Sequence, residues 1–240
     1  MQHALMRTWN YWKENKDPDE PIDLRHYMAI GKISEALSQH ANEAYTELVQ
    51  TDQDICQVIF KALTEKGADN KGVRRQVKLG DLARISGYTE QDIVRVVDVF
   101  REHGRSFLTP AINITLNSDS IIEISHESLM RIWQRLKMWV DEEAESAQLY
   151  KRLSNAAELY QVGKVDLWKP PDLQIAIQWK RDRKPTKAWA NRYSPYFERA
   201  MLFLDTSKTV YESEQRSKEL LQKRMIQRTK MVAIILGIAF

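Results

Sequence analysis

Apolar residues along this chain recur mostly three and four positions apart, the spacing of a helix face, and turn to alternation only near residues 107–124. Leu5, Trp9 and Trp12 place one face of a helix over Met1 to Trp12, and the polar, proline-broken run from Lys16 to Pro21 ends it. A short helix within Ile22 to Ile30 stops or bends at Gly31. Ile33, Leu37, Ala41 and Ala44 then mark an amphipathic helix to about Leu48, with His40 on its face. From Thr51 the elements change order. Thr51 and Asp54 suit a helix start, Ile55, Val58, Ile59 and Leu63 form its stripe, and the Gly67–Gly72 loop leads to one short strand over Arg75 to Leu79. Asp81 to Ile85 is a short helix, Gly87-Tyr88 a turn, and Thr89 the cap of a helix burying Ile93, Val96, Val97 and Phe100. Gly104 closes that helix. Phe107-Leu108, then Ile112, Ile114 and Leu116, then Ile121 to Ile124 supply strands, with Asn117 to Ser120 as a hairpin turn. Helix, strand, helix–turn–helix and β wing is the order of a winged helix.

The stretch from Ile121 to Trp139 passes directly from strand to helix. Ile122 and Ile124 alternate with Glu123 and Ser125, and Leu129, Trp133, Leu136 and Val140 fall at helical spacing. Ser125, His126, Glu127 and Ser128 sit at the junction. The unpaired N–H groups of a helix start can receive an anion, and a histidine there adds a donor. Spacing alone favours the plainer reading, a helix capped by Ser125 or Ser128 with His126 merely closing the surface.

Beyond the junction the pattern stays helical. Ala147, Tyr150, Leu153, Ala157 and Tyr160 form a stripe ending near Gly163, and Lys169-Pro-Pro171 punctuates before Leu173, Ala176, Ile177 and Lys180. Arg181 to Pro185 is a charged break, and Ser194-Pro195 begins a helix carrying Phe197, Met201 and Leu204. Tyr211 to Lys230 reads as a solvated helix or short coiled coil. Lys223, Arg224, Arg228 and Lys230 precede an uncharged run from Met231 to Phe240, about half the ~20 residues a membrane helix needs. The basic cluster would keep this side cytoplasmic by the positive-inside rule, with residues 229–240 as the start of a candidate inner-membrane helix.

Composition narrows the function classes. A hydrophobic fraction of 43% with seven tryptophans provides for a real core. Thirty-six Lys and Arg against 33 Asp and Glu do not imply a polyanionic partner. The single Cys56 lies in a helical stripe, as a buried small hydrophobe would, and excludes a disulfide framework. No signal peptide opens the chain. Walker A, G-x-S-x-G, HExxH and paired cysteines are all missing from the sequence, and the histidines at 3, 26, 40, 103 and 126 lack metal-ligand spacing. Trp133, Trp139, Trp168, Trp179 and Trp189 fall where packing anchors belong rather than base-stacking platforms. A winged helix with a membrane tail also fits a DNA-binding regulator. However, Glu90, Asp92, Asp98 and Glu102 oppose Arg95 and Arg101 on the would-be recognition helix, which disfavours contact with phosphates.

Five segments carry a family likeness: QHALMRTW at Gln2–Trp9, YMAIGKISEALSQHANEAY at Tyr27–Tyr45, ISHESLMRIWQRLKMWVDEE at Ile124–Glu143, LWKPPDLQIAIQW at Leu167–Trp179 and PTKAWANRYSPYFERAMLFL at Pro185–Leu204. In these the chain resembles the C-terminal half of novel STAND NTPases, signal-transduction ATPases with numerous domains. The resemblance implies a mainly α fold: a helical arm (1–48), a winged helix-turn-helix domain with a small β wing (49–127) and a helical extension (128–228). It also implies a P-loop ATPase core lying ahead in cis, making Met1 an internal methionine and this chain a non-catalytic regulatory piece of an ATP/ADP- and Mg-dependent switch. A downstream β-propeller or helical solenoid, and homo-oligomerisation on activation, are further expectations. His126-Glu127 lies where related STAND proteins, including the NB-ARC class, carry Met-His-Asp, whose histidine contacts the ADP β-phosphate in the closed state. Here Ser125 replaces the methionine and Glu127 the aspartate, so the resemblance carries over the histidine role alone.

Overall fold

In the computed structural model, which describes residues 2–17, 20–67 and 72–238, helices dominate and the strands are short. Along the chain run α1 (Gln2–Asn15), α2 (Leu24–Ala29), α3 (Lys32–Thr46) and α4 (Gln50–Ala62), then β1 (Thr64–Lys66), β2 (Gly72–Arg74) and β3 (Val77–Lys78). Helices α5 (Leu79–Ser86) and α6 (Glu90–Arg101) follow, then β4 (Leu108–Thr109), β5 (Ile121–Ile124), α7 (Ser128–Ile132) and α8 (Gln134–Gln161). The rest is α9 (Asp172–Arg183), α10 (Lys187–Ala190) and α11 (Phe197–Ile238). These elements divide between two compact units, Met1–Gln148 with Thr186–Arg192, and Leu149–Pro185 with Tyr193–Phe240. Met1, the side chain of Ile33, residues 68–71 of the expected glycine loop and the last two residues of the apolar tail lie outside the described residues.

In the first unit, local chemistry sets the helix ends. Asp23 and His26 form a reciprocal capping box on α2, the His26 Nδ1 accepting from the Asp23 N–H at 3.0 Å. Gly31 then turns the chain into α3 at φ 77°, a left-handed backbone where a side chain would also collide with Glu35. Thr89 and Asp92 cap α6 in the same reciprocal way. Helix α4 is different from its expectation. It begins at Gln50 after Val49, without a side-chain cap, and Asp54 instead accepts a hydrogen bond from Gln50 at 3.1 Å.

The core gathers the helical stripes around four rings. Phe60 of α4 meets Phe100 of α6 edge-on at 4.9 Å and Trp133 at 5.1 Å, and Trp133 meets Trp139 at 5.4 Å. Ile93, Val96 and Val97 of α6, Ile122 and Ile124 of β5, and Leu129, Leu136 and Val140 beyond them are all buried, as their spacing predicts. Three antiparallel strands lie in the order β3-β5-β4, with Val77 opposite Ile122 and Leu108 opposite Ile124, and β1 pairs separately with β2.

Four further expectations change in this unit. The strand expected over Arg75 to Leu79 is confined to Val77–Lys78, which pairs with β5, and an unexpected strand ahead of it, Gly72–Arg74, pairs with β1 instead. The stretch through Ile112, Ile114 and Leu116 forms no strand: Arg101 collects the carbonyls of Pro110, Ala111 and Ile114 at 2.5–2.6 Å, turning the backbone onto one guanidinium instead of along β5. The helix after β5 is broken at Trp133, whose ψ of 102° separates α7 from α8 while its ring enters the core. On α1, Leu5 and Trp9 are 61% and 52% exposed, and Ala4 and Thr8 are the buried residues among those whose side chains are described. Small side chains let α1 approach closely, with Ala4 clustering against Ile30 and Ala36, and Arg7 clamps Glu43 of α3 at 2.6 Å.

The second unit packs around Tyr150, which is buried, donates its hydroxyl to the Ser194 carbonyl at 2.9 Å and stacks on Trp179. Ser154 and Ser194 share a hydrogen bond at 2.8 Å, and Trp168 sets its edge on Phe203. Tyr160, expected on the buried stripe, is largely exposed although its ring touches Phe203. Helix α11 starts at Phe197, just past Ser194-Pro195, and continues through Ile238. Among the described residues, no helix is long and apolar enough to cross a membrane.

Candidate functional site

The strand-to-helix junction is built by two buried anchors with an exposed turn between them. Ile124 ends β5 in the core, Leu129 opens α7 in the core, and His126 and Glu127 between them are exposed. Ser125 donates its N–H to the Phe107 carbonyl at 2.9 Å and its hydroxyl to the Ser106 carbonyl at 2.5 Å. The His126 carbonyl accepts from the Leu129 N–H at 3.0 Å. From the facing hairpin, Arg74 donates to the carbonyls of Ile124 at 3.0 Å and Ser125 at 3.3 Å, placing a guanidinium beside the turn.

This geometry removes both simple helix-start readings. Neither Ser125 nor Ser128 caps α7, because the N-cap position is Glu127, which has helical backbone angles and no capping hydrogen bond. The helix is also only five residues long, so its dipole is small and its N–H groups do not form an anion cradle. Any charge preference here comes from side chains. Glu127 is paired with Arg131 at 2.7 Å, and Arg74 adds the second cation. The turn presents one imidazole at a backbone position held by hydrogen bonds on both sides, a donor platform rather than a reaction centre.

Arg74 is a contributor that the sequence does not reveal. Its partners lie 50 residues away, and no periodicity or motif links them. The cations of α6 have equally hidden roles. Arg95 binds Asp52 of α4 through two hydrogen bonds of 2.8 and 3.0 Å, and Arg101, expected on the exposed face, is buried. Glu90 accepts from Ser118 at 2.7 Å. The surface of α6 is thus tied into its own fold.

The other chemistry-bearing groups are structural. Cys56 is buried, and burial pushes its thiol well above the ordinary range, so it remains protonated and packs as a small hydrophobe. Among the described residues, no cluster of His, Cys, Asp and Glu is placed to hold a metal ion. His40 is buried with its ring edge-on to Phe107 at 5.2 Å. Burial lowers its pKa from the ordinary 6.5, offset in part by Glu43, while Arg7 and Arg105 reinforce the shift and Glu47 opposes it. The neutral ring is therefore the folded form. Above pH 6.5 the contribution is fully present. As pH falls below 6.5 the unfolded chain takes up this proton first, and stability declines until the folded-state value is passed. In urea titrations across this window, His40→Gln should flatten the pH dependence relative to wild type, and an unchanged slope would remove His40 as its source.

No curated protein and no solved structure matches the chain. The family model for novel STAND NTPase 1 matches residues 1–166, a span holding the junction, Arg74, the four-ring core and all of the strands among the described residues. Because that match takes in well over half of the 240 residues, the chain belongs to the novel STAND NTPase 1 family.

Proposed function

We propose that this chain is a regulatory, non-catalytic module of a STAND-type signalling ATPase, in which residues 49–127 form a winged helix that docks on a nucleotide-binding domain. The order α4, α5, α6 and the sheet β3-β5-β4 supports the winged-helix reading. The intramolecular ties of Arg95 and Arg101 favour a protein-bound nucleotide over DNA as the partner of this domain.

One observation carries the site: His126 is exposed on a turn whose backbone is held by Arg74, Phe107 and Leu129. A donor held in this way meets a docked phosphate without first losing backbone freedom. The residues present fit a nucleotide only as an outer contact, since no G-x-x-x-x-G-K-[ST] sequence occurs among the 240 residues. ATP or ADP and its Mg ion would be held by a P-loop core. That nucleotide supplies the phosphate charge, and His126 donates one N–H to it in the docked state alone. A contact made in one state and not the other biases the equilibrium toward that state, here the ADP-bound resting form.

The test uses the protein in which this module is joined to its P-loop core. His126→Ala should speed release of a fluorescent ADP analogue by about ten-fold, as losing one charge-assisted hydrogen bond implies. Release at the wild-type rate would sink the assignment. We further propose a repeat domain downstream of this module and self-association on activation. The cations Lys223, Arg224, Arg228 and Lys230, followed by apolar residues 231–240, support a membrane contact on the cytoplasmic side.

A further inference from the structure

A second feature of the first unit is independent of the junction. Alongside edge strand β3, between α5 and α10, lies a cleft of about 630 Å³. Among the described residues, its walls carry Arg75, Lys78, Arg84 and Arg192 against one carboxylate, Asp81, which pairs with Arg84. Val77, Ile85 and Ile121 add apolar surface. The remaining counter-charges are not part of the wall. Glu143 holds Arg192 at 3.3 Å, and the Arg192 fork also donates to the Ala62 carbonyl at 3.0 Å, so this side chain, 10% exposed, is rigidly placed. Glu65 reaches Arg75 only at 3.5 Å. The Nη1 of Arg75 is buried without a hydrogen-bond partner. A guanidinium nitrogen left in that state is costly, and a small rotation toward an anion would satisfy it. Lys78 pairs with Asp119 at 2.8 Å, but the two side chains are 55% and 85% exposed, so water screens the pair and a multivalent anion can replace it.

We propose that this cleft binds a small phosphate-bearing molecule, its phosphate among Arg75, Lys78 and Arg84 and its apolar portion on Val77, Ile85 and Ile121. The guanidinium forks match phosphate oxygens in geometry as well as charge. Ile121 and Ile124 stand at opposite ends of β5, roughly 10 Å apart along the strand, so this site is separate from the His126 turn.

Isothermal titration of the chain with inorganic pyrophosphate at low salt tests the proposal. Wild type should bind one equivalent, and Arg75→Gln combined with Arg84→Gln should weaken binding at least about ten-fold while His126→Ala leaves it unchanged. Far-UV circular dichroism checks the folding of the double variant. Should it be misfolded, Lys78→Gln with Arg84→Gln, both at exposed side chains, should show the same loss. Absence of saturable binding at millimolar pyrophosphate overturns the proposal, as does equal affinity in the folded cleft variants. Binding lost in His126→Ala but kept in the cleft variants would place the phosphate at the junction and likewise overturn it.

Discussion

Trp133→Ala should destabilise the first unit by about 3–5 kcal/mol, the range for removing a large buried aromatic side chain. Trp133 is fully buried, with Phe60, Phe100 and Trp139 within 6.2 Å of its ring centre. Its indole N–H also donates to the Asn42 side chain at 2.8 Å, so truncation leaves both a cavity and an amide oxygen without its donor. The surrounding rings belong to different helices, which limits how far they can close on the void. Trp133→Phe separates the contributions. It keeps much of the apolar volume and loses the hydrogen bond, for a cost of about 1–2 kcal/mol. Guanidinium unfolding followed by far-UV circular dichroism reads both. A loss under about 1.5 kcal/mol for the alanine variant would mean that the core collapses onto the gap and that Trp133 is not its centre.

The second large effect belongs to Arg101. Its side chain is 1% exposed, pairs with Asp98 at 2.6 Å and donates to three carbonyls of residues 110–114. Arg101→Met keeps much of the stem but no donor, and should cost about 2–4 kcal/mol, between a lost charged hydrogen bond and a broken buried ion pair. The loop from Pro110 to Leu116 has no strand pairing to fall back on, so it should open locally, with faster amide exchange and new proteolytic cleavage there. Arg101→Lys should recover only part of the loss, because one ammonium lacks the planar fork that reaches three separated carbonyls. Wild-type stability and an uncleaved loop in the methionine variant would show that the backbone holds this conformation without the guanidinium.

These two residues also mark where the sequence is easy and hard to read. Helix α6 is legible because its information is local. Thr89 and Asp92 lie three residues apart, and Ile93, Val96, Val97 and Phe100 repeat at the helical period. The loop after β4 misleads because Ile112, Ile114 and Leu116 alternate as a strand would, and alternation says nothing about a guanidinium arriving from α6. Helix α1 misleads in another way. Its large apolar residues draw attention to one face, whereas close packing uses Ala4 and Thr8, which carry almost no hydropathy signal. At the junction, the strand, the helix and His126 between them follow from spacing, but the break at Trp133 and the tether from Arg74 do not.

The amino-acid sequence alone determined that this protein is mainly helical, where most helices start and stop, and, α1 apart, most of the residues they bury. Those properties depend on residues within one or two turns of each other, where capping and periodicity act. Tertiary structure alone decided the division of strand pairing at Gln76, the turning of the loop onto Arg101, the interruption at Trp133 and the meeting of four cations at the α5–α10 cleft. Each of these joins groups from separate elements, and their partners are chosen by the geometry of the packed chain.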